Sequence, residues 1–517
     1  MLARVRSAAV VGLDAVPVDV EIDVSPGIPA FAVVGLPDAA VREARERVRA
    51  AIRNAGYEMP PRRITVNLAP ADTRKEGPAF DLPIAVGILA ATDQVPRAAI
   101  EGYLIVGELS LDGTVRPVAG VLSIALAARR WAGRGLLVPE ANGPEASIVE
   151  DVTVYAVASL GGVARSLRGA QPFSPAGRPG GVPQASDVAE VDFAEVRGQA
   201  HARRALEIAA AGAHNVLLLG PPGSGKTMLA RRLPTILPPL THAEAIEVTR
   251  IYSIAGHLTR QGSLITVRPF RAPHHATTVP ALAGGGAIPR PGEASLAHLG
   301  VLFLDELPEF QRRALEALRQ PLEEGRVVVS RAHGTVSFPA RCMLVAAMNP
   351  CPCGFLGDPV RPCVCTPPQR ARYLGRVSGP LLDRVDLHVE VPRLSGTALV
   401  ARTPGESSAR VRARIMGARA VQAARGAGAG TAGLTNGTMP PSLVRRWCAL
   451  GGDASDFLRR AIDRLGLSPR GFHRAIRVAR TIADLEGAPE IAVQHVAEAV
   501  MYRTLDRPLD PLEGEVR

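Results

Sequence analysis

The sequence predicts an α/β protein. A parallel sheet carries a phosphate-binding loop, a helical segment closes it, and a separate mixed α/β domain precedes it. Three observations lead there. Residues 188–393 alternate short apolar runs with helical runs, as parallel strands joined by crossover helices do. One of those runs, Asn215–Leu219, leads into Gly220-Pro221-Pro222-Gly223-Ser224-Gly225-Lys226-Thr227 and then a helical stretch. Two Gly- and Pro-rich stretches, Gly169–Ser186 and Ala424–Pro441, break the pattern and lack the side chains to pack a core. They divide the chain into residues 1–167, a linker 168–187, a core 188–393, a connector 394–441 and a helical segment 442–517.

Composition sets the bounds. At 517 residues the chain holds several domains, and its 47% hydrophobic content can fill their cores. No apolar run reaches the roughly 18 residues of a spanning helix. The apolar stretch after the first residues is broken by Asp14, Asp19, Glu21 and Asp23, so neither a membrane span nor a signal peptide is expected and the location reads as cytoplasmic. Six cysteines in so long a chain are not a disulfide framework. The net charge of +11 points to a polyanion, although an Arg-rich composition alone would give the same balance. The two lysines, Lys75 and Lys226, are therefore informative, because they stand where a compact ammonium was kept in place of a guanidinium.

In the first domain, Val18–Val24 alternates apolar and acidic residues like a half-buried strand. Asp38–Ala55 has helical spacing, Arg63–Leu68 is β-rich, and Leu82–Ala91 is an apolar helix. Leu104–Val115 reads as a hairpin around Asp112-Gly113, and Ser123–Ala132 as a further helix.

In the core, the loop Gly220–Thr227 is G-x-x-x-x-G-K-[ST] between a strand and a helix. Its glycines let backbone N–H groups turn toward a phosphate, and the helix N-terminus adds its dipole. Lys226 is placed for the β- and γ-phosphates of ATP, and Thr227 for Mg²⁺. The strand Gly300–Leu304 ends in Asp305-Glu306. At the carboxyl edge of a parallel sheet, Asp305 would hold Mg²⁺ and Glu306 would polarise the attacking water. A third strand, Met343–Met348, is tipped by Asn349, whose amide can orient that water or the γ-phosphate.

Between the acidic pair and Asn349, Arg326–Phe338 reads as two strands around a basic turn. After Asn349, Cys351-Pro-Cys353 and Cys363-Val-Cys365 form two close pairs, suited to a tetrahedral Zn²⁺ site or left as four reduced thiols in a loop. Cys342 and Cys448 read as packed apolar residues. His274-His275 admits a metal or nucleic-acid role, or two satisfied loop histidines.

This arrangement resembles the AAA+ ATPases, and within them the branch of magnesium-chelatase subunits and MCM helicases. Gly379-Pro-Leu-Leu-Asp-Arg384-Val-Asp386 looks like that branch's arginine-finger box, which implies that Arg384 reaches the γ-phosphate of a neighbouring subunit. Arg470, in Ser468–Arg474, looks like sensor 2 at the start of a lid helix. Phe270–His275, Pro289–Glu293, Met348–Gly354 and Val478–Leu485 tighten the match to the ComM/YifB family of magnesium-chelatase-like proteins. The resemblance covers essentially the whole chain. It implies an ATP- and Mg²⁺-dependent homo-hexamer acting on DNA, a helicase of branch-migration type in natural transformation. In that branch the hairpin before Asn349 points into the ring pore, which would bring Arg331, joined by His333, to DNA phosphates. A magnesium-chelatase-like subunit and a protein-remodelling ATPase are the alternatives.

The first domain resembles the α+β Lon protease domain in Arg74–Leu82 and Gly107–Gly120. Ala79 stands at the Ser position and Leu122 at the Lys position, and neither can supply a nucleophile or base. The resemblance implies a scaffold without peptidase chemistry. Lys75, just before Ala79, is left open between binding a phosphate and pairing with a carboxylate.

Overall fold

Buried and exposed positions alternate along parts of two long strands, β1 (Leu2–Val11) and β2 (Asp14–Ser25), paired antiparallel through the turn at Gly12. The computed structural model describes residues 1–517 except 72–74, 76, 178–190, 259–263, 287–288, 332–333, 395–404, 428–432 and 504–517. With β3 (Ala30–Val34), β4 (Arg63–Ala69), β5 (Tyr103–Ile105), β8 (Gly135–Pro139) and β9 (Val154–Val157), they form a seven-stranded sheet in the order β3-β4-β2-β1-β5-β8-β9. The strands from β5 onward are added in parallel.

The helix Asp81–Ala91 is buried along its whole length against β1, β2 and the helix Ala39–Asn54. Its first residue, Asp81, would be a buried lone charge were it not held by both arms of Arg47 at 2.6 and 3.0 Å. The expected hairpin is shorter than the sequence suggests, with β6 (Glu108–Leu109) paired to β7 (Val115–Arg116). Leu104 and Ile105 are apolar on both faces and join the main sheet instead. The next helix runs Val121–Ala128.

The linker begins later than its composition indicates. Phe173 packs its ring 5.4 Å from those of Tyr103 and Tyr155, and Pro175 bridges Tyr155. One aromatic in a Gly/Pro run suffices to pin the segment as far as Gly177 when two rings lie within reach. Most of the rest of the expected linker lies outside the described residues.

The core sheet has five parallel strands in the order β11-β14-β17-β10-β18. These are β10 (Val216–Leu219), β11 (Phe270–Arg271), β14 (Val301–Leu304), β17 (Met343–Met348) and β18 (Leu387–Glu390). A two-stranded ribbon, β12 (Gly284–Gly285) and β13 (Arg290–Pro291), precedes β14. A hairpin of β15 (Arg326–Arg331) and β16 (Gly334–Pro339) precedes β17. The residues of β17 are buried throughout, as a central parallel strand requires.

The segment expected as a connector holds the helix Ser408–Ala427. Val411, Ile415 and Ala418 recur at helical spacing and pack against the helices Ala200–Gly212 and Lys226–Ile236. The C-terminal helices Pro441–Trp447, Gly452–Leu465, Pro469–Leu485 and Val493–Met501 complete the helical segment. The two sheet domains meet where the helix Val121–Ala128 packs on the helix His242–Ala255. There Arg250 donates to the Leu13 carbonyl and pairs with Asp14 at 2.7 Å, and Ser253 donates to Glu145. Among the described residues no helix is long and apolar enough to cross a membrane.

Candidate nucleotide site

Strand order brings the predicted residues together. β10, β17 and β14 are adjacent and parallel, so the residues that follow them, Gly220, Asn349 and Asp305, emerge at one sheet edge. A Cβ at position 220 would lie 2.2 Å from the Val391 carbonyl, so the loop leaves the sheet on a residue that must be glycine. Gly223 and Gly225 take φ of +76° and +94°, and no atom lies within 4 Å of a Cβ at Gly223. The loop is thus a bare backbone concavity opening onto the helix Lys226–Ile236.

Lys226 is buried, and its ammonium donates to the Gly220 carbonyl at 2.7 Å, the Pro221 carbonyl at 2.9 Å and Asn349 Oδ1 at 3.1 Å. Burial pulls its pKa down, while Asp305 and Glu306 act in the opposite sense. The Thr227 hydroxyl donates to Asp305 Oδ2 at 2.7 Å, so the two expected Mg²⁺ ligands already face one another. These residues fit ATP with Mg²⁺ in donor type, in backbone concavity and in the pairing of hydroxyl with carboxylate.

Glu306 sits at φ +52° and turns an exposed carboxylate into a cleft of about 800 Å³, which Asn349, Cys353, Cys365, Arg372 and Arg376 also line. Its neighbour was not foreseen: His275 Nδ1 lies 3.5 Å from Glu306 Oε2, with His274 packed on the His275 ring. Nothing in the spacing of that His pair singles out a partner on another strand.

Arg384 stands apart from this set. The Asp386 amide donates to the Asn215 carbonyl, which fixes Arg384 at the entry end of β18, opposite the exit end of β10 where the phosphate loop begins. Strands of this length put the two ends about 13 Å apart. Arg384 is 3% exposed, paired with Glu323 and donating to the Pro380 carbonyl. Arg470 lies in the first turn of the helix Pro469–Leu485, 3.6 Å from the same Glu323 carboxylate. The two arginines assigned by resemblance share one acid, away from their own phosphate loop. Glu323 was not anticipated either, nor was Arg474, which donates to the Arg384 carbonyl at 2.9 Å and to Asp386 at 2.6 Å.

The four clustered cysteines converge. Their sulfurs all lie within 4.8 Å of one another, and the cluster could hold a zinc ion. Cys342 and Cys448 pack among apolar residues, and burial pushes their thiols up to about 12 and about 11. The hairpin pairs Arg331 with Gly334 at its tip. The Arg331 side chain and the whole of His333 lie outside the described residues.

Lys75 is fully buried and donates to the Pro70 carbonyl, which leaves it no access to an exposed phosphate. Ala79 sits in a short 3-10 turn, and Leu122 is fully buried in the helix Val121–Ala128. Neither contributes a polar side chain there.

Comparison with known proteins identifies the family. Residues 192–399 match the family "Magnesium chelatase, subunit ChlI", residues 20–142 match "Subunit ChlI of Mg-chelatase", and residues 405–503 match its C-terminal domain. The chain is 46% identical over 531 residues to the Competence protein ComM of Haemophilus influenzae, covering 99% of both. It is 46% identical to YifB of Salmonella typhimurium over 515 residues and 44% identical to YifB of Escherichia coli, again with 99% of both chains covered. The three family matches follow the three structural units, and the chain belongs to the ComM/YifB family of magnesium-chelatase-like AAA+ ATPases.

Proposed function

We propose that this protein is an ATP-driven, ring-forming DNA motor of helicase type that promotes branch migration during uptake or recombination of DNA. The observation that carries the ATPase step is the constellation of Lys226, Thr227, Asp305, Glu306 and Asn349 on three adjacent strand ends. Thr227 and Asp305 would hold Mg²⁺, which when bound would supply positive charge to offset the charge developing on the phosphates. Lys226 would turn its donors from the loop carbonyls to the phosphate oxygens of ATP. Glu306 accepts a proton from the water attacking in line, and Asn349 orients that water.

The place of Arg384 at the entry end of the sheet supports its action on the neighbouring subunit's nucleotide, which makes the ring, a hexamer, the unit of turnover. Arg470 serves as sensor 2 at the start of the lid helix. Hydrolysis shifts the β15–β16 hairpin, whose Arg331 and His333 track DNA phosphates. Relatedness to a competence protein supports DNA as the partner. The first domain serves as a platform of Lon-like descent without peptidase chemistry, since Ala79 and Leu122 replace any nucleophile and base.

The test is ATP hydrolysis by the purified chain with and without branched and single-stranded DNA. Stimulation by DNA, abolished in Glu306→Gln, is expected. Turnover indifferent to every DNA form would overturn the motor reading in favour of a chelatase-like or protein-remodelling ATPase.

A further inference from the structure

The loop that follows Asn349 is held by little apolar packing. Val360 is 68% exposed and Val364 is 81% exposed. Its folding comes from turns instead. Gly354 and Gly357 take φ of +84° and +77°, and the Asp358 carboxylate accepts the amides of Val360 at 2.7 Å and Arg361 at 2.9 Å. These turns return the chain so that four sulfurs meet. Cys351 Sγ lies 3.4 Å from Cys353 Sγ and 3.6 Å from Cys363 Sγ, and Cys353 Sγ lies 3.6 Å from Cys363 Sγ. The Cys353 amide donates to Cys365 Sγ at 3.3 Å.

A disulfide needs sulfurs about 2.05 Å apart, so these are four separate thiols. Four thiolates about 2.3 Å from a tetrahedral zinc ion stand about 3.8 Å from one another. The observed separations are close to that, and a loop with so little apolar burial needs a cross-link to stay folded.

The position of the cluster carries the argument further. A Cβ on Gly354 would lie 2.7 Å from Pro222 Cδ of the phosphate loop and 3.8 Å from Asn349 Cγ. Cys353 and Cys365 line the same cleft as Glu306. The cysteine loop is therefore braced against both the phosphate loop and the amide that orients the γ-phosphate.

We propose that Cys351, Cys353, Cys363 and Cys365 bind one Zn²⁺ as thiolates, and that this zinc clasp holds Asn349 and the phosphate loop in register for nucleotide. The second half rests on the nucleotide reading above, whereas the metal site does not. Loss of the metal frees the Cys351–Cys365 loop and removes one wall of the cleft.

The experiment uses the full chain purified without chelator. Zinc is counted by mass spectrometry, and its ligand field is read by cobalt substitution. About one zinc per chain is expected in the wild type and in Lys226→Ala, with the visible bands of a tetrahedral cobalt–thiolate centre, and none in a Cys363→Ser/Cys365→Ser variant. Affinity for a fluorescent ATP analogue should fall about tenfold or more in that variant, comparable to the effect of losing a supporting shell. Should the variant unfold, reversible stripping and reloading of the wild type reads the same change. Substoichiometric zinc without a cobalt–thiolate spectrum overturns the site. Stoichiometric zinc whose removal leaves nucleotide affinity unchanged overturns the clasp. Zinc on a chain that binds no nucleotide sustains the metal site and sinks the ATPase reading instead.

Discussion

At the scale of single residues, Glu306 is the general base of the proposed ATPase step, and its side chain is 60% exposed. Its carboxylate is exposed in the cleft, and the contact found for it is His275 at 3.5 Å. A general base loosely held by a neighbour can be drawn out of line with the attacking water. Glu306→Gln should keep nucleotide affinity and lower turnover by about 10²–10⁴-fold, the usual worth of a positioned base; equilibrium binding and steady-state hydrolysis separate the two effects. If the His275 contact draws Glu306 out of line, His275→Ala should raise DNA-independent turnover a few-fold and narrow the stimulation by DNA; an unchanged ratio of stimulated to basal rate would show that this contact does not restrain Glu306. The sequence made the phosphate loop and Asp305-Glu306 legible because each motif is a local run of residues in fixed spacing, whatever it pairs with in the fold. His275, Glu323 and Arg474 escaped it because their partners arrive from other strands and helices. Lys75 stands out in the sequence for its rarity, yet it is fully buried and donates to the Pro70 carbonyl.

At the scale of elements, the lid helix Pro469–Leu485 is clamped to the loop that presents Arg384. Asp386 is the anchor. Burial alone would raise its pKa, but Arg474 at 2.6 Å, His214 at 3.8 Å and the Asn215 amide outweigh it and hold the carboxylate well below its usual range. A carboxylate depressed in the folded state stabilises above its unfolded pKa of about 3.9, and that contribution is lost as pH falls below it. Melting temperature should therefore drop steeply below about pH 4. In Asp386→Asn the unfolding free energy at neutral pH should be lower by the roughly 3–5 kcal/mol of a broken buried pair, and melting should depend less on acid.

The β15–β16 hairpin makes a separate prediction. Arg331→Ala should weaken DNA binding without regard to sequence and reduce the slope of log affinity against log salt by about 0.7–0.9, read by fluorescence anisotropy across a salt series. The hairpin was legible from its alternation. The helix Ser408–Ala427 was obscured by the Gly-rich stretch into which it runs, although Val411, Ile415 and Ala418 carry its period.

At the scale of the whole molecule, the order of the units could be read from composition, but their docking could not. It depends on Arg250 reaching Leu13 and Asp14 and on Ser253 reaching Glu145, pairs more than a hundred positions apart. That contact joins the first domain to the helix His242–Ala255, and the β1–β2 turn at Gly12 comes against Val336 of the hairpin. Under the proposed reading the site is completed between chains, because Lys226 to Asn349 stand at one sheet edge and Arg384 at the other, where it shares Glu323 with Arg470. Glu323 is half-exposed, so truncating Arg384 leaves behind a carboxylate that water can solvate, and the fold should survive. Arg384→Ala and Lys226→Ala should each be inactive alone, for opposite reasons: one binds ATP without a finger to offer, and the other offers a finger without binding ATP. Mixed in equal amounts before assembly, they should recover hydrolysis at about one site in four, the chance that an intact loop meets an intact finger across a head-to-tail interface. Recovery of activity in the mixture, measured against each variant at the same total concentration, requires a shared site. A mixture as inactive as its components would place Arg384 in service of its own chain and dismantle the ring reading.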